Sequence, residues 1–274
     1  MNVGAIKAIT SLSFKEALRA KWLISFTLVF FLLAINVPEL TLLALGTLPA
    51  NYVESYLALL VTLSFPYLPL LALPIGSTSV VEDRESGSLQ YLLSTPMAKM
   101  DFLLGRLFGL FVATNAVIVG GYTIAAFAAY NFAVGAYSVF SRLVLIAVLY
   151  NTAMLAIALL LSILSRRKAT ALGAAIFVWF LMSLITDISS TGIILSVVKS
   201  PLLVLPMVLL NPVQTSSVLA ILQLDLPNSQ IGIALAVKNV LGQSVILTLA
   251  SSLLVWISLL LITAFFVFKR QDVD

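Results

Sequence analysis

The chain has no cysteine and no histidine, and only 9% of its 274 residues are charged. Without thiol or imidazole there is no disulfide, no Cys- or His-ligated zinc, no Cys–His nucleophile pair and no imidazole proton relay. Phosphate-cradling loops are missing too, since neither GxxxxGK[ST] nor GxGxxG occurs. Soluble domains carry about 25% charged residues, whereas this chain is 61% hydrophobic, with a mean hydropathy of +1.14. In water it would expose large apolar patches. Its solvent is lipid, and its class is an all-α integral membrane protein.

A helix crossing the hydrocarbon core needs about 20 mostly apolar residues. Six segments qualify: Trp22–Leu45, Tyr56–Val81, Phe102–Tyr130, Leu143–Leu164, Ala169–Thr186 and Ser244–Phe268. Glu39 and Pro38 fall toward one end of the first, and Arg106 lies early enough in the third to snorkel to headgroups. Arg142, opening the fourth, reads as a headgroup anchor. Met1–Lys21 holds Lys7, Lys15, Glu16, Arg19 and Lys21 with no compact apolar run, so no cleavable signal peptide is expected.

Basic residues set the orientation. Lys7, Lys15, Arg19, Lys21, Arg84, Lys99, Arg106, Arg166, Arg167, Lys168, Lys269 and Arg270 fall on one side; Arg142, Lys199 and Lys238 fall on the other. That partition predicts both termini and the 82–101 loop in the cytoplasm, with the chain in the cell membrane. It also explains the net charge of +4 by span-flanking cations, so no nucleic-acid partner is expected.

Phe14, Leu18 and Trp22 recur at helical spacing while Lys15, Glu16 and Arg19 face elsewhere. This predicts an interfacial helix over 1–21; a charged leader that sets topology is the alternative. Pro66, Pro69 and Pro74 predict a bend in the second span, fixed by packing or, less simply, serving a gating motion. Between the fifth and sixth spans, Asp187–Gln243 reads as short extracytoplasmic helices against or dipping into the outer leaflet, broken at Gly192, Pro201, Pro206, Asn211-Pro212 and Pro227. Leu202–Leu210 is too short to cross. This outer segment is where an extracytoplasmic partner would dock, with Asp187, Asn211 and Pro212 as candidates for contact with that partner or with substrate.

The polar interruption Glu82–Lys99 stands between two apolar spans. Glu82, Asp83 and Glu85 surround Arg84 where the second span ends. Gly87 permits a sharp change of direction, and Ser86 or Ser88 caps the next helix. Leu89, Tyr91, Leu92 and Leu93 then give about two apolar-rich turns, which Pro96 stops. A helix this short needs a groove to lie in.

This run, with Glu82, Arg84, Gly87, Ser88, Leu89, Leu92, Leu93, Ser94, Pro96 and Lys99 in register, resembles the signature of ABC-2 type permeases. The resemblance implies a six-span permease subunit that homodimerises and whose Ser88–Ser94 coupling helix seats on a separate ABC ATPase subunit. ATP and magnesium would then be bound by that partner, and no cofactor by this chain. Arg166 and Arg167, in a tight inner turn, would be a second ATPase contact or a site of attraction to anionic membrane lipid.

Phe14-Lys15-Glu16 with Arg19 and Lys21-Trp22, Trp179 with Asp187, and Asn211-Pro212 resemble the permease of the nitrous-oxide-reductase maturation system. Val213-Gln214-Thr215-Ser216 departs from it, where acidic and basic residues are expected. Met97, Met100, Met154, Met182 and Met207 are scattered, which does not suit a copper(I) path; no metal site is expected. A sulfur species, or force on an outer partner, is the implied cargo. An exporter of lipid, peptide or drug, a stand-alone secondary transporter and a passive scaffold remain as alternatives.

Overall fold

The structure, a computed structural model, describes residues 2–45, 52–95, 97–129, 137–190, 201–224 and 232–271. Among these residues there are helices and no strands. In chain order they are α1 (Val3–Arg19), α2 (Lys21–Leu45), α3 (Tyr52–Ser64), α4 (Leu68–Glu85), α5 (Ser88–Ser94) and α6 (Lys99–Ala129). Then follow α7 (Tyr137–Leu164), α8 (Lys168–Ser190), α9 (Pro201–Leu209), α10 (Pro212–Ile221), α11 (Gly232–Leu241) and α12 (Val245–Arg270).

Among the described residues, five helical stretches are long and apolar enough to cross a membrane: α3–α4 from Tyr56 to Glu85, Lys99–Phe127, Ser138–Leu164, Lys168–Ile188, and α11–α12 from Gly232 to Arg270. The expected first span falls on α2, whose fully described apolar part is Lys21–Leu32. Pro96, Tyr130, Gly192, Lys199 and Pro227 lie outside the described residues.

The second span is two helices joined by the turn 65–67, and it continues past Val81 to Glu85. Prolines leave carbonyls without their helical donors. Pro74 has no N–H for the Leu70 carbonyl, and the Trp22 indole N–H donates to that oxygen at 2.6 Å. Leu70 N–H turns to Tyr67 O at 3.0 Å, which leaves Pro66 O to accept from Trp179 Nε1 at 2.9 Å. The bend is held by packing.

Helix α7 is central, touching α4, α6, α8, α10 and α12. Its contact with α4 is close because Gly76 faces Ala158; a Cβ there would sit 2.6 Å from the Ala158 methyl. Ser162 Oγ accepts from both Val80 N and Val81 N, at 2.9 and 3.0 Å. Polar glue of this kind replaces the hydrophobic drive that lipid removes.

Helix α1 lies along the first turns of α6. Asn2 N donates to Asp101 Oδ2 at 3.0 Å, while Gly105 and Gly109 admit Ile9 and Ser13; a Cβ on either glycine would be 2.6 Å from those side chains. The buried face is Ile9, Ser13 and Ala17. Leu18 and Trp22, expected on the membrane side, are exposed.

Candidate functional site

At the end of α4 the chain turns through Ser86 and Gly87, whose φ of 75° lies in the left-handed region that a side chain disfavours. Helix α5 begins at Ser88 and is tied back to α4: Ser88 Oγ donates to Asp83 O at 3.2 Å and lies 3.1 Å from Asp83 Oδ1. Ser86 Oγ and Ser88 Oγ are 2.9 Å apart. The leucine face does not point outward as the sequence suggests. Leu89 is buried, and Leu92 and Leu93 are half-buried against the bundle. Tyr91, 75% exposed, is the large side chain that α5 presents, with Gln90 and Ser94 beside it.

The charged residues that the sequence assigns to an outside partner are mostly engaged within the chain. Arg84 donates through Nη1 to Ile163 O and Ser165 O at 3.1 and 2.6 Å, and through Nη2 to Gln271 Oε1 at 2.7 Å. Lys99 Nζ donates to Gln271 O at 2.6 Å. Glu85 accepts from Lys168 N at 2.9 Å, satisfying a free donor at the start of α8. Glu82 pairs with Lys168 Nζ at 2.7 Å, both about half exposed, an arrangement worth little in water. Arg166 and Arg167 are exposed in the α7–α8 turn. These contacts bring α5, that turn and the end of α12 to one end of the bundle.

Arg106 overturns its expected role. Instead of snorkelling, its side chain is 4% exposed, ion-paired with Asp83 through Nη2 and with Glu16 through Nη1. Nη1 also donates to Ser13 Oγ at 3.3 Å, and the guanidinium lies 5.6 Å from the centre of the Phe102 ring. One cation thus joins α1, α4 and α6, and Asp83 passes the connection to α5 through Ser88. The sequence carried a hint of this: a carboxylate at the end of one span and a cation early in the next want each other in lipid.

Toward the other end, Asp187 is exposed near the end of α8. Asn211 and Pro212 are buried, which corrects their assignment to an outer docking surface. The Asn211 amide donates to Met182 O and Thr186 Oγ1 at 2.9 and 3.1 Å. Its Oδ1 accepts from Val213 N at 3.0 Å, capping α10 with Pro212 in the first turn. Val213, Gln214, Thr215 and Ser216 are buried as well, so charges at those positions would be desolvated here. Pro206 sits inside α9 rather than breaking the segment.

A family model described as ABC-2 family transporter protein matches residues 8–273. The chain is 28% identical over 263 residues to a protein of Stutzerimonas stutzeri named "Probable ABC transporter permease protein NosY", covering 93% of this chain and 95% of that protein. A protein of the same name from Pseudomonas aeruginosa is 30% identical over 204 residues, covering 72% of this chain and 74% of its own length.

Proposed function

Because the chain belongs to the ABC-2 transporter family, we propose that it is a permease subunit driven through α5 by ATP hydrolysis on a separate subunit. ABC-2 permeases work with an ATPase partner, and this chain is a multi-pass membrane protein of that kind. The observation that carries the reading is the short α5 at a bundle end, with an exposed Tyr91 on one face and a hydrogen bond to Asp83 on the other. ATP binding closes two ATPase subunits, Tyr91 moves with them, and Asp83 and Arg106 carry the displacement into α4, α6 and α1.

In this reading α2 completes six spans, a homodimer brings twelve, and both termini and the 82–101 segment face the cytoplasm of a cell-membrane protein. ATP and magnesium reside on the partner, with no cofactor on this chain. The NosY-named relatives and the nitrous-oxide-reductase maturation resemblance support a role in assembling that enzyme's copper–sulfur centre. The permease would move a sulfur species or transmit force to an extracytoplasmic partner near Asp187.

The test is capture of a co-expressed neighbouring ATPase by tagged wild type and by Tyr91→Asp in mild detergent. Capture by wild type and loss with Tyr91→Asp are expected. Equal capture by both would remove α5 from the coupling role. Tyr91 is a better probe than Leu92, because a carboxylate at half-buried Leu92 would also disturb the bundle.

A further inference from the structure

Between the α1–α2 elbow and helices α4, α6 and α8 lies a cavity of about 590 Å³, within the usual size of a ligand pocket (roughly 300–1,000 Å³). We propose that it binds the headgroup of an anionic phospholipid from the leaflet on the α5 side.

Charge bookkeeping within the cavity points to an anion. Its lining holds four cations and three carboxylates, a net charge of +1. Arg106 is matched by Asp83 and Glu16, and Lys168 by Glu82. Arg19 and Lys21 remain, exposed at the elbow, with no ion pair among the described residues. These two lie where the chain passes from α1 into the apolar α2.

The apolar part of the lining excludes a simple ion as the best occupant. Ile75, Leu110 and Leu172 belong to it, as does Trp22, held by its indole bond to Leu70 O. A free phosphate would satisfy the cations and leave that surface wet. A zwitterionic lipid would cover the surface but add a cation beside Arg19 and Lys21. A phosphatidylglycerol-type lipid satisfies both, its phosphate at the elbow and its glycerol and first methylenes against the apolar wall. Such an occupant bridges α1 and α8 across the Arg106 cluster, so lipid composition would tune the stiffness of the coupling end.

Native mass spectrometry of the detergent-purified chain with equimolar dioleoyl phosphatidylglycerol and dioleoyl phosphatidylcholine tests this. Wild type should retain phosphatidylglycerol preferentially. Each exposed cation near a charged headgroup is worth roughly a fivefold factor, so Arg19→Gln/Lys21→Gln should lower retention on the order of twentyfold. Lys7→Gln/Lys269→Gln, which removes two exposed cations away from the cavity, should leave retention unchanged. Leu172→Trp fills the cavity without changing charge and should also reduce binding.

Undiminished retention in Arg19→Gln/Lys21→Gln or in Leu172→Trp would overturn the proposal. So would equal losses in the two glutamine pairs, which would mean generic attraction to a basic surface. Displacement of the lipid by millimolar inorganic phosphate would assign the cavity to a free anion instead. ATPase capture is untouched by any of these outcomes, so the coupling reading stands or falls separately.

Discussion

A guanidinium withdrawn from water costs several kcal/mol unless carboxylates face it, and Arg106 faces two. They are unequal partners: the Asp83 side chain is 12% exposed and that of Glu16 is 50% exposed. Solvent screens Glu16, so most of the interaction lies in the Asp83–Arg106 pair. Replacing Arg106 with Gln strands Asp83 and should cost about 3–5 kcal/mol. Adding Asp83→Asn removes the stranded charge and should recover most of that loss. Thermal inactivation of the single and double variants in detergent measures it, and additive losses would show that the two charges do not act as a pair. Both residues were visible in the sequence as charges near span ends. Their pairing was only hinted at, because it depends on α4 and α6 lying side by side, which local spacing does not settle.

Elements meet closely where glycine removes a side chain, and the α1–α6 contact depends on two, Gly105 and Gly109. Gly109 faces Ser13 Cβ and Thr10 O, each 2.6 Å from where a Cβ would be, so neither neighbour can yield without moving backbone. Gly109→Val should lift α1 from its groove. The cysteine-free background makes this simple to read: Ser13→Cys, fully buried in the wild-type packing, should resist a maleimide alone and label rapidly when combined with Gly109→Val. Continued protection would mean that α1 stays docked by other contacts. The α3–α4 bend gives a second expectation. Trp22→Phe and Trp179→Phe each remove a donor to a carbonyl freed at the bend and should each cost about 1 kcal/mol in the same inactivation assay. The three prolines announced the bend, and the hydrophobic period announced α1. The indole partners and the glycine-paved face of α6 were not legible, since each requires knowing which helix comes next to which.

The whole molecule is unevenly filled. In their most apolar windows, α3–α4, α6 and α7 bury 61%, 67% and 67% within the chain, whereas α8 buries 11% and α11–α12 buries 22%. Lipid can cover such faces, so exposure alone does not distinguish bilayer from a second copy. Under the proposed homodimer, the α5 end of the bundle favours one face over the other. Through Lys168, α8 is joined to Glu82 and Glu85 at the end of α4, one turn of chain away from α5. A two-fold contact along α8 would therefore bring the two α5 helices toward a shared axis, where two closing ATPase subunits could pull on both at once. An isologous contact also sets a residue near its own mate. Phe177→Cys, exposed on α8, should give a disulfide dimer in membranes under mild oxidant, while Val255→Cys, exposed on α12, should not. The reverse pattern would move the axis to α12 and separate the coupling helices. Cross-linking at neither position, in a preparation that still captures the ATPase, would count against a two-fold contact along either helix. Cation counts and hydrophobic length carry the expected orientation and crossing number; the expected two-fold contact rests instead on which apolar face the chain leaves uncovered, and that depends on how α8 packs against α4.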